Sequence, residues 1–434
     1  MWSKRNYLYC SEKNGPMLYV GNSNSLIHLD NLIYEQIKNY LFENTPLQND
    51  IEKQLRDIGA IVESDTNINN LQLYISRKTE IISNQLTIWL SLTDFCNFDC
   101  SYCFEKKSPS ILDEKKVDKI IEFIKKHKGI ENIHFSLYGG EPLLNARIIP
   151  YLDTEIKKLN LKNVTYFLVT NGYLLTCEMI ENFSKIQNFT YQITLDGLEK
   201  THNSRRPHKS NSDSYARIIY NLDCIYNKYR DYSIKPIIRI RVNVDKRNSD
   251  EFHQLYHNLN QKFNSFFDIY SSPVLDYCYG ENTTPHLFTP EEYSYFLVQN
   301  YKKYDIYEDH FPTSNFSGTG CGASCYRFYC IGSDCKVYRC PSDLGDEKLV
   351  ILDLNNPSFT NNKPTINYSI EADPFSINTC KDCFLLYPCK GSCRKKLYMS
   401  EKNLSLKSCH PYKFYTNEHL DMYYENQKKS KNIK

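Results

Sequence analysis

Cys96, Cys100 and Cys103 fall within eight positions in the stretch LTDFCNFDCSYCFEKK, among aromatic and acidic residues and with no second cysteine pair beside them. Thiolates bind soft metals. A cubane iron-sulfur cluster takes four protein ligands when it only carries electrons, and three when one iron must stay open to a substrate. Three cysteines in one short loop therefore point to an open iron. The chain has 17 cysteines, an odd count, and a reducing compartment disfavours structural disulfides, so metal ligation is the leading reading of the clustered ones. Besides the first three, five fall at 321–340 and five at 380–409. Cys10, Cys177, Cys224 and Cys278 are scattered and read as small buried apolar residues.

The 434 residues allow one large domain with additions or two to three ordinary ones. With 53 basic and 51 acidic residues the net charge is +2, which offers no chain-wide case for nucleic acid or an anionic membrane. The N-terminal segment MWSKRNYLYCSEKNGPMLYV lacks a long apolar run ending in a small-residue cleavage site, and no stretch of 18 apolar residues occurs. These features predict a soluble cytoplasmic protein with neither a nucleic-acid nor a membrane partner.

From residue 87 to about 275, strand-like runs (TIWLSLT, NIHFSLYGG, VTYFLVTNG, FTYQITLDG, PIIRIRVNVD) alternate with helical ones (DEKKVDKIIEFIKKHKG, NARIIPYLDTEIKKLN, LTCEMIENFSKI, DSYARIIYNLDCIYNKY). In the first helical run Val117, Ile120, Ile121 and Ile124 make one apolar face. Repeated βα units imply a parallel sheet with helices outside and a ligand site at the C-terminal strand ends. The first cysteine cluster, Gly139-Gly140-Glu141, Asn171-Gly172 and Asp196-Gly197 should meet on that rim. Residues 1–80 read instead as a β-hairpin followed by two amphipathic helices, with the polar connector SDTNINN after them. Beyond 310 the chain is cysteine-rich and irregular, and NQKKSKNIK reads as a solvated tail.

The spacing Cys96-x3-Cys100-x2-Cys103, with Tyr102 before the last cysteine, resembles the signature of the radical S-adenosylmethionine enzymes. The resemblance implies a partial (β/α)6 barrel. It also implies a 4Fe-4S cluster whose open iron chelates S-adenosylmethionine, and reductive cleavage of that cosubstrate to a 5'-deoxyadenosyl radical that abstracts a substrate hydrogen. YGGEPLL at 138–144 resembles the family's glycine-glycine-glutamate strand end, so Gly139, Gly140 and Glu141 would contact the methionine amino group. Asn171, in TNG, and Thr194 and Asp196, in TLDG, occupy the next two strand ends as in the family, so by that resemblance they would bind the cofactor, and Asn-Gly and Asp-Gly are also plain turn residues. In HNSRRP, Arg205 or Arg206 would meet the methionine carboxylate, with Arg206 taken as the contact and Tyr102 beside the cofactor.

Cys380-x2-Cys383-x5-Cys389-x3-Cys393 followed by Cys409 resembles the SPASM extension of radical enzymes that modify peptides and proteins. By that resemblance Cys380, Cys383, Cys389 and Cys409 would hold one auxiliary 4Fe-4S cluster. Cys321, Cys340 and Cys393 would hold a second, with Cys325 or Cys330 as fourth ligand. Zinc is the alternative for paired cysteines of this kind. The family has glycine where this chain has Cys335, which is then a harmless replacement or a spare ligand. The expected division is 1–80 as a small N-terminal module, 87–310 as the radical core, 311–415 as the auxiliary domain and 416–434 as a tail.

The function implied is a peptide maturase that installs a crosslink on a ribosomally made precursor peptide, with an electron donor such as flavodoxin or ferredoxin. The N-terminal module would recognise the precursor by strand addition, or would cover the open edge of the barrel sheet. An anaerobic sulfatase maturase forming formylglycine is the alternative, against which stand the residues preceding the cysteine loop and Pro341 after Cys340. A non-catalytic iron-sulfur or zinc scaffold is a third reading, and an RNA-modifying radical enzyme is disfavoured by the near-neutral charge.

Overall fold

The computed structural model describes residues 1–186, 188–210, 213–275, 286–308, 320–402 and 409–432; Cys278 lies outside them. The chain forms two compact units, one of residues 1–82, 289–325 and 367–434, the other of residues 83–288 and 326–366. These terminal and core units depart from the serial division expected at 80 and 311. The reason is long-range pairing on both sides of each boundary.

In the terminal unit, β1 (Asn6–Ser11), β2 (Gly15–Val20) and β3 (Ser25–His28) form an antiparallel sheet in the order β1-β2-β3. The expected hairpin thus has a third strand. Helices α1 (Asn31–Phe42), α2 (Asn49–Asp57) and α3 (Asp65–Ile81) follow. Leu18, Val20, Ile37, Leu55 and Ala60 pack the module's core. SDTNINN is no connector: Ser64 caps α3 by accepting a hydrogen bond from the Asn67 amide, and the segment is the helix's first turns. The module is fastened to the C-terminal cysteine region by Arg5, 1% exposed. Its guanidinium donates to the Cys383 carbonyl at 2.7 Å, to Asn69 at 2.8 Å and to the Lys381 carbonyl. The supposed tail is also helical, over Thr416–Asn432, and its Asp421 accepts from Ser11 at 2.7 Å.

The core unit carries a ten-stranded sheet. Six strands, β4 (Gln85–Ser91), β5 (Asn132–Tyr138), β6 (Asn163–Thr170), β7 (Phe189–Thr194), β8 (Ile237–Val244) and β9 (Asp268–Pro273), are parallel neighbours in chain order. Helices α4 (Glu114–Lys125), α5 (Ile148–Lys157), α6 (Cys177–Ser184), α7 (Glu199–Arg205), α8 (Ser214–Tyr229) and α9 (Phe252–Phe263) connect them. This is the βα order that the expected partial (β/α)6 barrel requires, and polarity alternates along the strands. On β8, Ile238, Ile240, Val242 and Val244 are buried apolar residues, and Arg239, Arg241 and Asn243 take the opposite face.

Beyond β4 the sheet continues with β10 (Phe328–Ile331), parallel to β4, and antiparallel β11 (Lys336–Tyr338), β12 (Leu352–Asp353) and β13 (Asn356–Thr360). Residues 326–366 therefore extend the core sheet. They also explain the family's glycine at position 335. Cys335 has φ of 68°, in the left-handed region that favours glycine, and its buried Sγ lies 3.8 Å from the Lys116 carbonyl of α4. Cys335→Gly is expected to leave iron per chain unchanged in reconstituted protein. A loss of about four irons would make Cys335 a cluster ligand.

Candidate functional site

The loop after β4 is shaped by the strand end beside it. Gly140 N–H donates to the Thr93 carbonyl and Glu141 N–H to the Phe95 carbonyl, both at 2.8 Å. A Cβ on Gly139, whose φ is +128°, would stand 2.3 Å from the Thr93 oxygen, and one on Gly140 would stand 2.3 Å from the Phe95 oxygen. Only glycine lets the two backbones approach this closely. Cys96 follows directly.

Glu141 is wholly buried, and its carboxylate is spent within the protein. Oε1 accepts from Thr170 Oγ1 at 2.6 Å and Leu143 N at 3.1 Å, and Oε2 accepts from Asn171 N at 2.8 Å. Its side chain thus ties two strand ends together. Asn171 likewise turns inward, donating from Nδ2 to Asn97 Oδ1 at 2.7 Å, one residue past Cys96.

Tyr102 anchors the loop from the other side. Its hydroxyl donates to Asp196 Oδ2 and accepts from Arg206 at 2.7 Å and from Asn243 Nδ2 at 3.0 Å. Burial foremost raises the Tyr102 pKa, so the phenol remains a donor. Asp196 Oδ1 also accepts from Asn243 N at 3.1 Å. Thr194, buried at the end of β7, pairs in register with Arg241. The two arginines divide their tasks. Arg205 is 2.8 Å from Asp245 and lies over the Tyr102 ring, whereas Arg206 lies over the Phe98 ring and within electrostatic reach of Cys100. Asn97, Asn243 and Asp245 were not singled out from sequence. The polar end of PIIRIRVNVD is the only signal for Asn243 and Asp245, and Asn97 has only its place beside Cys96.

Burial raises all three thiols of the loop, Cys96 to about 12, where Phe98 N–H opposes the rise at 3.4 Å and the Glu141 and Cys100 charges add to it. Glu105, two residues past Cys103, is pushed by burial to about 8, although a Tyr138 hydrogen bond acts against the rise. A desolvated thiolate set is stable only against positive charge, which iron supplies. Arg206 Nε and Asn97 Nδ2 are buried with no hydrogen-bond partner among the described residues, and these donors face no acceptor of the protein's own. Donor set and unused donors fit an iron-sulfur cluster with an anionic ligand beside it. Among the described residues no three His, Cys, Asp or Glu side chains are arranged to hold a single ion. Thiolates that each bind a different iron of a cubane need not converge on one point.

The terminal unit gathers the expected second set: Cys380, Cys383, Cys389 and Cys409 line one cavity with His410 and Lys413. Burial, together with the neighbouring Cys383, Cys380 and Cys409, pushes Cys389 to about 12. In the same unit Cys393 neighbours Cys321, and Cys325 Sγ lies 3.7 Å from the Cys321 carbonyl. Cys330 and Cys340 belong to the core unit, where Cys330 is fully buried in an apolar cluster with Tyr338 and Val350.

The sequence profile of the Radical SAM superfamily matches residues 90–258. Residues 90–258 are thus a radical S-adenosylmethionine domain. That superfamily implies a 4Fe-4S cluster and S-adenosylmethionine. The chain is 24% identical over 342 residues, 69% of this chain and 85% of the relative, to a cysteine-type anaerobic sulfatase-maturating enzyme of Clostridium novyi (strain NT). It is 26% identical over 231 residues, 46% of this chain and 43% of the relative, to the radical SAM cyclopropyl synthase TigE of Paramaledivibacter caminithermalis. The structure of anSMEcpe with bound AdoMet and the Cp18Cys peptide shares the fold, with a TM-score of 0.62 at 19% identity over 81% of this chain and 100% of that one. So does Streptococcus suis SuiB bound to precursor peptide SuiA, with a TM-score of 0.52 at 15% identity over 91% and 95%. Among the described residues no helix is long and apolar enough to cross a membrane.

Because the glycine pair sets the cysteine loop against backbone atoms that cannot swing aside, Gly140→Ala is expected to displace Cys96. Iron per chain should fall by about four, one cubane, with the circular dichroism spectrum unchanged. Full iron content in the variant would show that the loop tolerates the added methyl group.

Proposed function

We propose that this enzyme is a maturase of ribosomally made peptides, which abstracts hydrogen from a precursor and installs a crosslink such as a thioether or carbon-carbon bond. The observation that carries the reading is a groove in the terminal unit. It runs beside β3, the end strand of its sheet among the described residues, and is lined by Ile27, Leu29, Ile33, Ile51, Leu55 and Ile58 with His28, Asp30, Gln54 and Asp57. A leader added to the outer edge of β3 would gain backbone hydrogen bonds, and its alternate side chains would enter this mixed groove, apolar ones against the isoleucines and leucines. SuiB, whose structure holds its precursor peptide SuiA, and TigE, a cyclopropyl synthase, support a peptide substrate.

Cys96, Cys100 and Cys103 would hold the cluster, which would supply the electron for reductive cleavage of S-adenosylmethionine. The chain's own part is placement. The Gly139–Glu141 backbone holds the loop, Tyr102, Asp196 and Asn243 fix its far side, and Arg206 offers its unused Nε to the methionine carboxylate. Cys380, Cys383, Cys389 and Cys409 hold an auxiliary cluster, and a small donor such as flavodoxin or ferredoxin supplies electrons.

Formylglycine formation is the second reading, favoured by the 69% of the chain that aligns with the Clostridium novyi maturase. The edge-strand groove and Pro341 after Cys340 weigh against it. Mass spectrometry of the treated precursor separates the two: a crosslink leaves the peptide backbone residues joined, whereas formylglycine gives an aldehyde that hydrazine captures.

Two variants test the assignments. With Cys96, Cys100 and Cys103 all changed to alanine, 5'-deoxyadenosine should no longer form, and its persistence would displace the radical site from this loop. With Ile33→Glu and Ile51→Glu combined, precursor affinity should fall at least tenfold, about 1.4 kcal/mol, while precursor-independent cleavage of S-adenosylmethionine stays at the wild-type rate. Unchanged affinity would move leader recognition elsewhere.

A further inference from the structure

Within the terminal unit, Glu80 at the end of α3 is 3% exposed and reaches two cysteine-bearing turns at once. Its Oε1 accepts from Ser324 Oγ at 3.1 Å, the residue before Cys325, and lies 3.4 Å from Arg394, the residue after Cys393. Oε2 pairs with Arg77 at 2.7 Å, and Arg77 in turn pairs with Asp373 at 2.7 Å. Arg394 is 1% exposed, donates to the Ala372 carbonyl at 2.5 Å and leaves its buried Nε with no partner among the described residues. It stands within electrostatic reach of Cys321, and Lys390 stands within reach of both Glu80 and Cys325.

Arg77 and Arg394 face Glu80 and Asp373, and Arg394 keeps a buried Nε with no partner among the described residues, beside Cys321 and Cys393. A buried donor is costly unless something accepts from it, and an anionic cluster on the adjoining cysteines would do so.

We propose that Glu80 and Arg394 are positioning residues of an auxiliary iron-sulfur site, that they make Cys325 a ligand together with Cys321 and Cys393, and that their opposed charges set its reduction potential. The inference rests on these cysteines holding a cluster, as the reading of the extension requires, and is independent of which peptide is modified. Taking up one electron adds one negative charge to the cluster. A nearby cation stabilises the reduced form and raises the potential; a nearby anion lowers it.

The test is anaerobic redox titration of the reconstituted full-length enzyme, followed by electron paramagnetic resonance. One auxiliary signal should move to lower potential in Arg394→Gln and to higher potential in Glu80→Gln. It should stay near wild type in Arg394→Lys, with the other cluster signals unmoved. Opposite shifts are a charge signature that a structural disturbance would not produce. Should Arg394→Gln fail to load iron, the Glu80→Gln shift decides alone. No shift, shifts in one direction, or zinc in place of auxiliary iron would overturn the proposal. Cys325→Ala should remove the same signal, and its retention would likewise refute the assignment of that ligand.

Discussion

Two backbone hydrogen bonds, from Gly140 to Thr93 and from Glu141 to Phe95, set the position of everything at the core unit's rim. They join the end of β5 to the residues that immediately precede Cys96, at a separation no side chain beyond hydrogen would permit. Around this contact the neighbouring strand ends are fastened in sequence. Glu141 bonds to Thr170 and Asn171, and Asn171 bonds to Asn97 within the cysteine loop. The loop is held by the sheet it leaves, so its thiols are presented from a rigid element, which is what a cluster with one open position requires.

Most acids at the rim are occupied by protein partners. Glu141 and Asp196 accept hydrogen bonds from backbone amides and hydroxyls, and Asp245 pairs with Arg205 and Arg247. Burying a carboxylate without such partners would cost several kcal/mol. Arg206 Nε, by contrast, is a buried donor with no partner among the described residues. The same economy holds in the terminal unit, where Glu80 and Asp373 are enclosed by arginines. In both units conspicuous acids support their neighbours, and the groups with unused capacity are cations and thiols.

The terminal unit joins segments that are hundreds of residues apart. Arg5 bonds to the carbonyls of Lys381 and Cys383, and Glu80 bonds to Ser324 and Arg394. The N-terminal module and the C-terminal cysteine-bearing turns are thereby joined by buried polar contacts. A chain divided by linear position into recognition module, catalytic core and cysteine-rich domain misses this union.

The sequence by itself determined the metal-binding character of the clustered cysteines and the strand and helix order of the core. Cysteine spacing, the glycine pair and strand alternation are local patterns, set by ligand geometry, close approach and a two-residue period, and each is readable within a dozen positions. The six parallel strands and the residues at their ends follow from them. Only the tertiary structure decided which polar groups are spent and which remain. Tyr102 meets Asn243 across 141 positions, and Glu80 meets Arg394 across 314. It also assigned residues 326–366 to the core sheet, because the pairing of β10 with β4 depends on where the chain returns. Hydrogen-bond satisfaction and charge compensation are properties of neighbours in space, and no spacing along the chain encodes them.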